Sequence, residues 1–180
     1  MISHLSTEQK QKLTKKQWTI LIAGLLAICT GLSVIGFYGI RKLHRMMQKQ
    51  KLMRENPVVE IEDLHIKAPI LEGTDQQTIA KAVGHFPETG DFGHGNYCLA
   101  GHSSTLYKEY FNNLKNVDTG MKIALYDVQK NCYTYTVSET RIVEPNETWV
   151  LDDFGDNRIT IITCTDDGSQ RLVVVGKYQS

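Results

Sequence analysis

The chain has 180 residues, and its 20 lysines and arginines are matched by 20 aspartates and glutamates. That length allows one domain with accessory segments, and the zero net charge argues against a general nucleic-acid binder, which carries a basic face. The charge is unevenly placed: the first 56 residues are basic, and the stretch from Trp149 to Asp167 is acidic.

In chain order, a polar tail (1–17) precedes residues 18–40, WTILIAGLLAICTGLSVIGFYGI, which contain no charged side chain. As a helix rising ~1.5 Å per residue, this run crosses a hydrocarbon core of ~30 Å with some tilt. Trp18, Phe37 and Tyr38 stand where interfacial aromatics belong. The run exceeds the roughly 7–15-residue apolar region of a signal peptide, and no small-residue cleavage site follows it. A retained transmembrane anchor is therefore expected. Residues 41–56 are basic and rich in helix formers, as suits a juxtamembrane stalk facing anionic lipid or polymer. Lys10, Lys12, Lys15 and Lys16 precede the span, whereas Arg41, Lys42, Arg45, Lys49, Lys51 and Arg54 follow it. The positive-inside rule, applied to that count, favours a cytoplasmic C-terminal domain.

Asn56-Pro57 marks a boundary, because the residue before proline avoids helix, and one domain is expected over 57–180. VVEIEDLHI alternates, with Val59, Ile61 and Asp63 on one face, and KAPILEG reads as a strand ending at glycine. TDQQTIAKAVGHF reads as a short helix capped near Thr74 or Asp75. GNYCLAGHS is a strand of small residues, and the next stretch places Leu106, Tyr110 and Leu114 on one helical face. After the Asp118-Thr119-Gly120 turn come four β-branched or alternating runs, MKIALYDV, NCYTYTVSETRIVEP, RITIITCT and RLVVVGKYQ. Seven or eight strands and two short helices in one core predict a mostly β fold, closed or nearly closed into a barrel.

Of the four cysteines, Cys29 lies inside the apolar span, and Cys98, Cys132 and Cys164 are an odd set without CxxC spacing. Neither a disulfide framework nor a zinc ribbon is implied, and at least one thiol stays free. Cys164 closes a strand, and Arg171 opens the next after TDDGSQ, so a hairpin brings thiol and guanidinium to the same end. His102 follows the Ala100-Gly101 pair. A cysteine nucleophile needs a histidine partner and a donor for the oxyanion, and these three residues supply one of each. A strand end would project such a nucleophile into a cleft or barrel mouth. Each also has a plainer reading: Cys164 as core packing, His102 as a structural histidine, and Arg171 as the partner of Asp166 or Asp167. His85, His94, Cys98 and His102 form a loose metal-like cluster, but Gly93, Gly95 and Gly101 break the helix that would gather them, so no metal is assigned. Glu144, Glu147, Asp152, Asp153 and Asp156 could offer oxygens to calcium, without the EF-hand order. No cofactor is otherwise expected.

TIITC (160–164) resembles the TLxTC signature of the sortases, with Ile161 in place of leucine, and LAGHS resembles the segment carrying their catalytic histidine. An arginine opening the strand after the cysteine completes the set, and the resemblance covers nearly all of 57–177. It implies a sortase β-barrel of about eight strands behind one transmembrane helix. It also implies a cysteine transpeptidase with Cys164 as nucleophile, His102 as general acid/base and Arg171 positioning substrate and oxyanion. Ala100, Thr163, Val150 and Leu151 become the expected substrate-binding positions, with the loop 145–157 forming the groove for the Leu-Pro end. The implied substrates are surface proteins bearing an LPXTG-like sorting signal, cut between Thr and Gly. The implied acceptor is an amine of a cell-wall precursor such as lipid II, or of a pilin. No Asp-Pro-aromatic lid precedes Pro57, and 145–157 is too short for a long inserted helix, so the chain looks most like class A, with class D next. The family places the catalytic domain outside a Gram-positive cell membrane, against the charge count. The alternative is a membrane-anchored barrel that binds wall polymer or protein without chemistry; a zinc-dependent hydrolase is a third reading.

Overall fold

The computed structural model describes residues 15–103 and 110–179. The chain divides into two compact units between Met47 and Gln48. A helix, α1 (Lys15–Glu55), covers both the predicted span and the predicted stalk. It is the one described helix long and apolar enough to cross a membrane. Within its apolar part, Thr30 Oγ1 donates to the carbonyls of Leu26 and Ala27, and Ser33 Oγ to that of Cys29 at 2.8 Å. Such bonds back to the preceding turn are how a threonine or serine in an apolar helix meets an acceptor without water.

Eight strands form the barrel: β1 (Val58–Ile61), β2 (Ile66–Glu72), β3 (Val83–His85), β4 (Asn96–Ala100), β5 (Lys122–Tyr126), β6 (Cys132–Val143), β7 (Arg158–Cys164) and β8 (Arg171–Tyr178). They close in the order β1-β2-β3-β4-β7-β8-β6-β5. The fold is the mostly β closed barrel expected. Ile61, Ile123, Leu125, Tyr135, Ile159, Ile161 and Val174 are fully buried in its interior, so the lumen is packed core. Tyr135 Oη accepts the Gly93 N–H at 2.8 Å, satisfying the one polar tip among these side chains.

Local chemistry sets the connections. Asp75 caps α2 (Gln76–Ile79), its Oδ1 accepting from the N–H groups of Gln77 and Thr78, as the sequence predicts. That helix is only one turn long. Val83–His85, read from sequence as its continuation, is instead β3, parallel to β2. A strand of three residues following Ala-Lys-Ala carries no alternation to betray it. The alternation of β1 also stops short: a 3-10 turn over Glu62–Leu64 intervenes, and Asp63 is exposed. The second predicted helix lies partly outside the described residues, at 104–109. Its described end is a turn closing in a 3-10 segment, Leu114–Asn116, with Phe111 and Leu114 buried.

A bulge in β6 between Val137 and Glu139 shapes the outer surface. One extra residue exchanges the two faces of the strand. Tyr135 and Val137 point into the core. Beyond the bulge, Glu139, Arg141 and Val143 register with Val175, Val173 and Arg171 on the outer face.

Candidate active site

Strand register brings the sequence motifs together. In the parallel β4–β7 pair, Cys98 faces Thr160 and Ala100 faces Ile162; β4 ends there, two residues before His102, just as Ile162 stands two residues before Cys164. In the antiparallel β7–β8 pair Cys164 faces Arg171, which in turn faces Val143 of β6. Neighbouring strands lie ~4.8 Å apart, so Cys164, Arg171 and Val143 form a row across the end of the sheet, and His102 follows the end of the neighbouring β4. A second row holds Ala100, Ile162, Val173 and Arg141, and a third holds Cys98, Thr160, Val175 and Glu139. Ile159 and Ile161 alternate with these positions and fill the core. The rows therefore lie on the barrel's outer face near its rim, not in a central mouth.

The segment bearing His102 is held by its backbone. Gly101 N–H donates to the Ile162 carbonyl at 3.1 Å, and Phe111 N–H donates to that of His102 at 3.2 Å. Thr163 Oγ1 donates to the Gly101 carbonyl at 2.8 Å. Thr163, expected to meet substrate, is buried, and its hydroxyl is committed to this scaffold. A Cβ at position 101 would sit 2.6 Å from Phe111 Cδ2, so this glycine is what lets the ring pack beside the histidine segment.

Between Cys164 and Arg171 the chain makes a tight turn. Gly168 takes φ +74° and donates to the Thr165 carbonyl at 2.8 Å. Asp167 accepts from the Thr165 and Ser169 hydroxyls and from Ser169 N–H, which together hold its carboxyl down to about 2. Arg171 Nη1 donates to the carbonyls of Gln170 (3.0 Å) and Gly168 (3.3 Å). Its pairing with Asp166 or Asp167 is not what forms: Asp166 pairs with Lys115 at 2.7 Å, and Asp167 is spent on the turn. Cys164 is half-buried with a free thiol.

The loop 145–157 crosses the outer face. Its 3-10 turn, Thr148–Leu151, buries Val150 against Val143, Val173 and Val175, with Leu151 and Ile162 packed alongside. A cavity of about 270 Å³ opens there, bounded by Trp149, Phe154, Arg141, Arg158 and the Val150–Val173–Val175 floor. The Arg158 guanidinium lies 4.1 Å from the Phe154 ring centre, and that of Arg141 5.5 Å from Trp149. Of the expected substrate positions, Val150 lines this cavity, Leu151 packs against the same cluster beside Ile162, and Ala100 pairs with Ile162.

The metal-like cluster does not assemble. Among the described residues no group of three or more histidine, cysteine or acidic side chains could hold an ion. His85 stacks on Tyr97 and pairs through Nδ1 with Glu72 (2.9 Å) and through Nε2 with Thr89 (3.1 Å). Cys98 is fully buried, and burial pushes its thiol up to about 12. Of the proposed calcium oxygens, Glu147 accepts from Glu144 N–H and Trp149 Nε1, and Asp156 pairs with Arg158 and Lys177.

Asn96 was not singled out from the sequence. It is 2% exposed; Oδ1 accepts from Thr160 Oγ1 at 2.6 Å, and Nδ2 donates to the carbonyls of Val150 (3.0 Å) and Asp152 (2.9 Å). Its signal is faint: one amide opening the otherwise apolar run NYCLA.

Comparison with known proteins converges on one family. Residues 59–179 match the sortase domain. Sortase A of Bacillus anthracis is 32% identical over 120 residues, covering 66% of this chain and 57% of the relative. The crystal structure of Listeria monocytogenes sortase A superposes with a TM-score of 0.65 at 29% identity, covering 71% of this chain and 88% of that one. Sortase C-1 from Actinomyces oris superposes at 0.63 and 29% identity, covering 69% and 71%. The chain spans about half the length of the curated relatives it matches, and by name they resemble class A most. With its domain match over 59–179 and its closed eight-stranded barrel, the chain belongs to the sortase family.

Proposed function

We propose that the chain is a membrane-anchored cysteine transpeptidase that cleaves an LPXTG-like sorting signal between Thr and Gly. The observation that carries this reading is the Cys164–Arg171 pair at the end of the β7–β8 hairpin, beside the strand β4 that runs into His102. Cys164 gives its proton to His102 and attacks the threonine carbonyl carbon as the thiolate, and Arg171 donates to the oxyanion. The tetrahedral intermediate then collapses to a thioester as the C–N bond breaks and His102 protonates the departing glycine amine. An incoming amine attacks the thioester and gives its proton to His102, and Cys164 leaves as the thiolate, restoring the starting thiolate–imidazolium pair. The turn carbonyls that anchor Arg171 through one nitrogen fix the guanidinium plane, so its remaining N–H groups serve the oxyanion.

Spacing supports a motif with an apolar residue upstream of the scissile bond. In an extended peptide the leucine of LPXTG lies three residues before the threonine, or ~10 Å away. The second and third rows lie ~7 and ~13 Å from Cys164 along the strands, where Val150, Val173 and Val175 form the apolar floor. The acceptor is a cell-wall precursor amine such as lipid II, or a pilin amine, with class A the nearest class. In this reading residues 1–17 form a cytoplasmic tail, 18–40 the span, 41–56 the stalk and 57–180 the external catalytic domain. Protease added outside intact cells should then degrade the barrel; a protected barrel would reverse the orientation.

The test uses the full chain in detergent, with LPXTG-type peptides and triglycine, and product masses read by mass spectrometry. A Thr–triglycine product that disappears in Cys164→Ala is expected. No product from a folded chain across varied peptides would overturn the reading in favour of a non-catalytic binding barrel.

A further inference from the structure

We propose that Asn96 is a positioning residue for the peptide groove: from the far end of β4 it fixes the Thr148–Leu151 wall at a set height and register above the sheet. The inference rests on the transpeptidase reading for its consequence, though not for its geometry. Asn96 lies six residues before His102, ~20 Å along the strand, so it touches no reacting atom. All its polar capacity is directed outward from β4. Nδ2 donates to the carbonyls of Val150 and Asp152, which bracket Leu151, and Oδ1 accepts from Thr160 Oγ1 on β7, which holds the amide in that orientation.

Other attachments of the wall, the exposed Arg141–Trp149 ring contact among them, constrain it differently. Val150 rests on Val173 and Val175, an apolar contact that is non-directional and tolerates sliding. Gln170 Nε2 donates to Glu144 Oε1 at 2.8 Å, but at the loop's upper, exposed end. Two directional bonds to alternate carbonyls remove that sliding freedom. Only a primary amide supplies two donors and an acceptor in so small a buried volume; aspartate offers acceptors alone, and leucine offers neither. The depth of the Val150–Leu151 edge over Ile162 and Val173 is thus set by a side chain three rows from the nucleophile.

The experiment compares the unaltered full chain, Asn96→Asp and Ile123→Val in detergent. Ile123→Val trims the core on the far side of the barrel and controls for stability. Peptides carry Leu or Ala at the first position of the motif. For Asn96→Asp, KM for the Leu peptide should rise about tenfold, from two lost buried hydrogen bonds, with kcat within about twofold. Discrimination between Leu and Ala should shrink. Amide hydrogen exchange over 147–154 should quicken, while alkylation of Cys164 by a small reagent keeps its rate. Ile123→Val should lower the melting temperature with KM and discrimination intact. An Asn96→Asp profile matching that of Ile123→Val, or unchanged exchange over 147–154, would overturn the proposal. If the unaltered chain forms no transfer product, the transpeptidase reading fails, and the exchange measurement alone decides the wall. Should Asn96→Asp not fold, Thr160→Val removes the bond that orients Asn96 while leaving its two donors in place, and should give the same changes in smaller measure; no change there refutes the positioning role.

Discussion

An alanine methyl at position 101 would fall 2.6 Å from Cδ2 and 2.8 Å from Cε2 of Phe111. Relaxed carbon–carbon contacts lie at ~3.5–4.0 Å, so ring and chain must part by about 1 Å. Phe111 is fully buried in the barrel core and cannot absorb the whole shift. The remainder falls on the 100–102 backbone, which carries His102. Gly101 does not adopt a positive φ, so space is what demands glycine here. Overpacking of this kind costs about 1–3 kcal/mol, and a displacement of ~1 Å near reacting groups can cost about a hundredfold in rate. Gly101→Ala should therefore lose roughly ten- to hundredfold in transfer kcat, as well as melting at lower temperature. Phe111→Leu in the same chain relieves the clash and should recover part of both losses. Peptide-transfer kinetics and a thermal melt on the single and double variants make the assay. Full activity in Gly101→Ala, or no recovery in the double variant, would refute the contact argument.

Other expectations concern groups away from that contact. Of the three cysteines beyond α1, iodoacetamide at pH 8 should modify Cys164 and the exposed Cys132 and spare Cys98, whose buried thiol sits near 12; intact-mass and peptide mapping show this, and Cys98 labelling in the folded chain would contradict its burial. Asp167 holds its proton less tightly folded than unfolded, so its contribution to stability is fully present above its ordinary pKa of 3.8 and is lost as pH falls through about 2. Asp167→Asn should thus melt below the unaltered chain at pH 7 and approach it near pH 2. Tyr135→Phe leaves the Gly93 N–H without its buried acceptor, a loss of about 1–3 kcal/mol. It should lower the melting temperature and barely change kcat, since Tyr135 lies in the core behind the sheet.

The legible parts of the molecule were those whose pattern repeats. β7 and β8 are β-branched runs separated by six polar or small residues, so their hairpin, and the meeting of Cys164 with Arg171, follows from turn and strand chemistry alone. The apolar run of α1 and the Asp75 cap are equally local signals. The β6 bulge at Val137–Glu139 has no glycine or proline to announce it, yet it turns Arg141 and Val143 toward the groove. The three-residue β3 is fixed by its neighbours: Gly84 lies so close to the Gly73 carbonyl that a Cβ would approach it to 2.3 Å, a long-range fit that leaves no local pattern. His85, His94, Cys98 and His102 form only a loose cluster by spacing, to which no metal is assigned; in the fold, His85 is spent on Glu72 and Thr89, and Cys98 on the core. Asn96 is the converse, a single amide whose meaning depends on a loop more than 50 residues away.

The central claim is that Cys164 carries the substrate as a thioester, and intact-mass spectrometry of the full chain quenched in acid during turnover tests it most directly. The account predicts an adduct equal to the peptide acyl portion ending in threonine, mapped to Cys164, discharged by hydroxylamine and absent in Cys164→Ala. An adduct on Cys132, or transfer product that persists in Cys164→Ala, would contradict it.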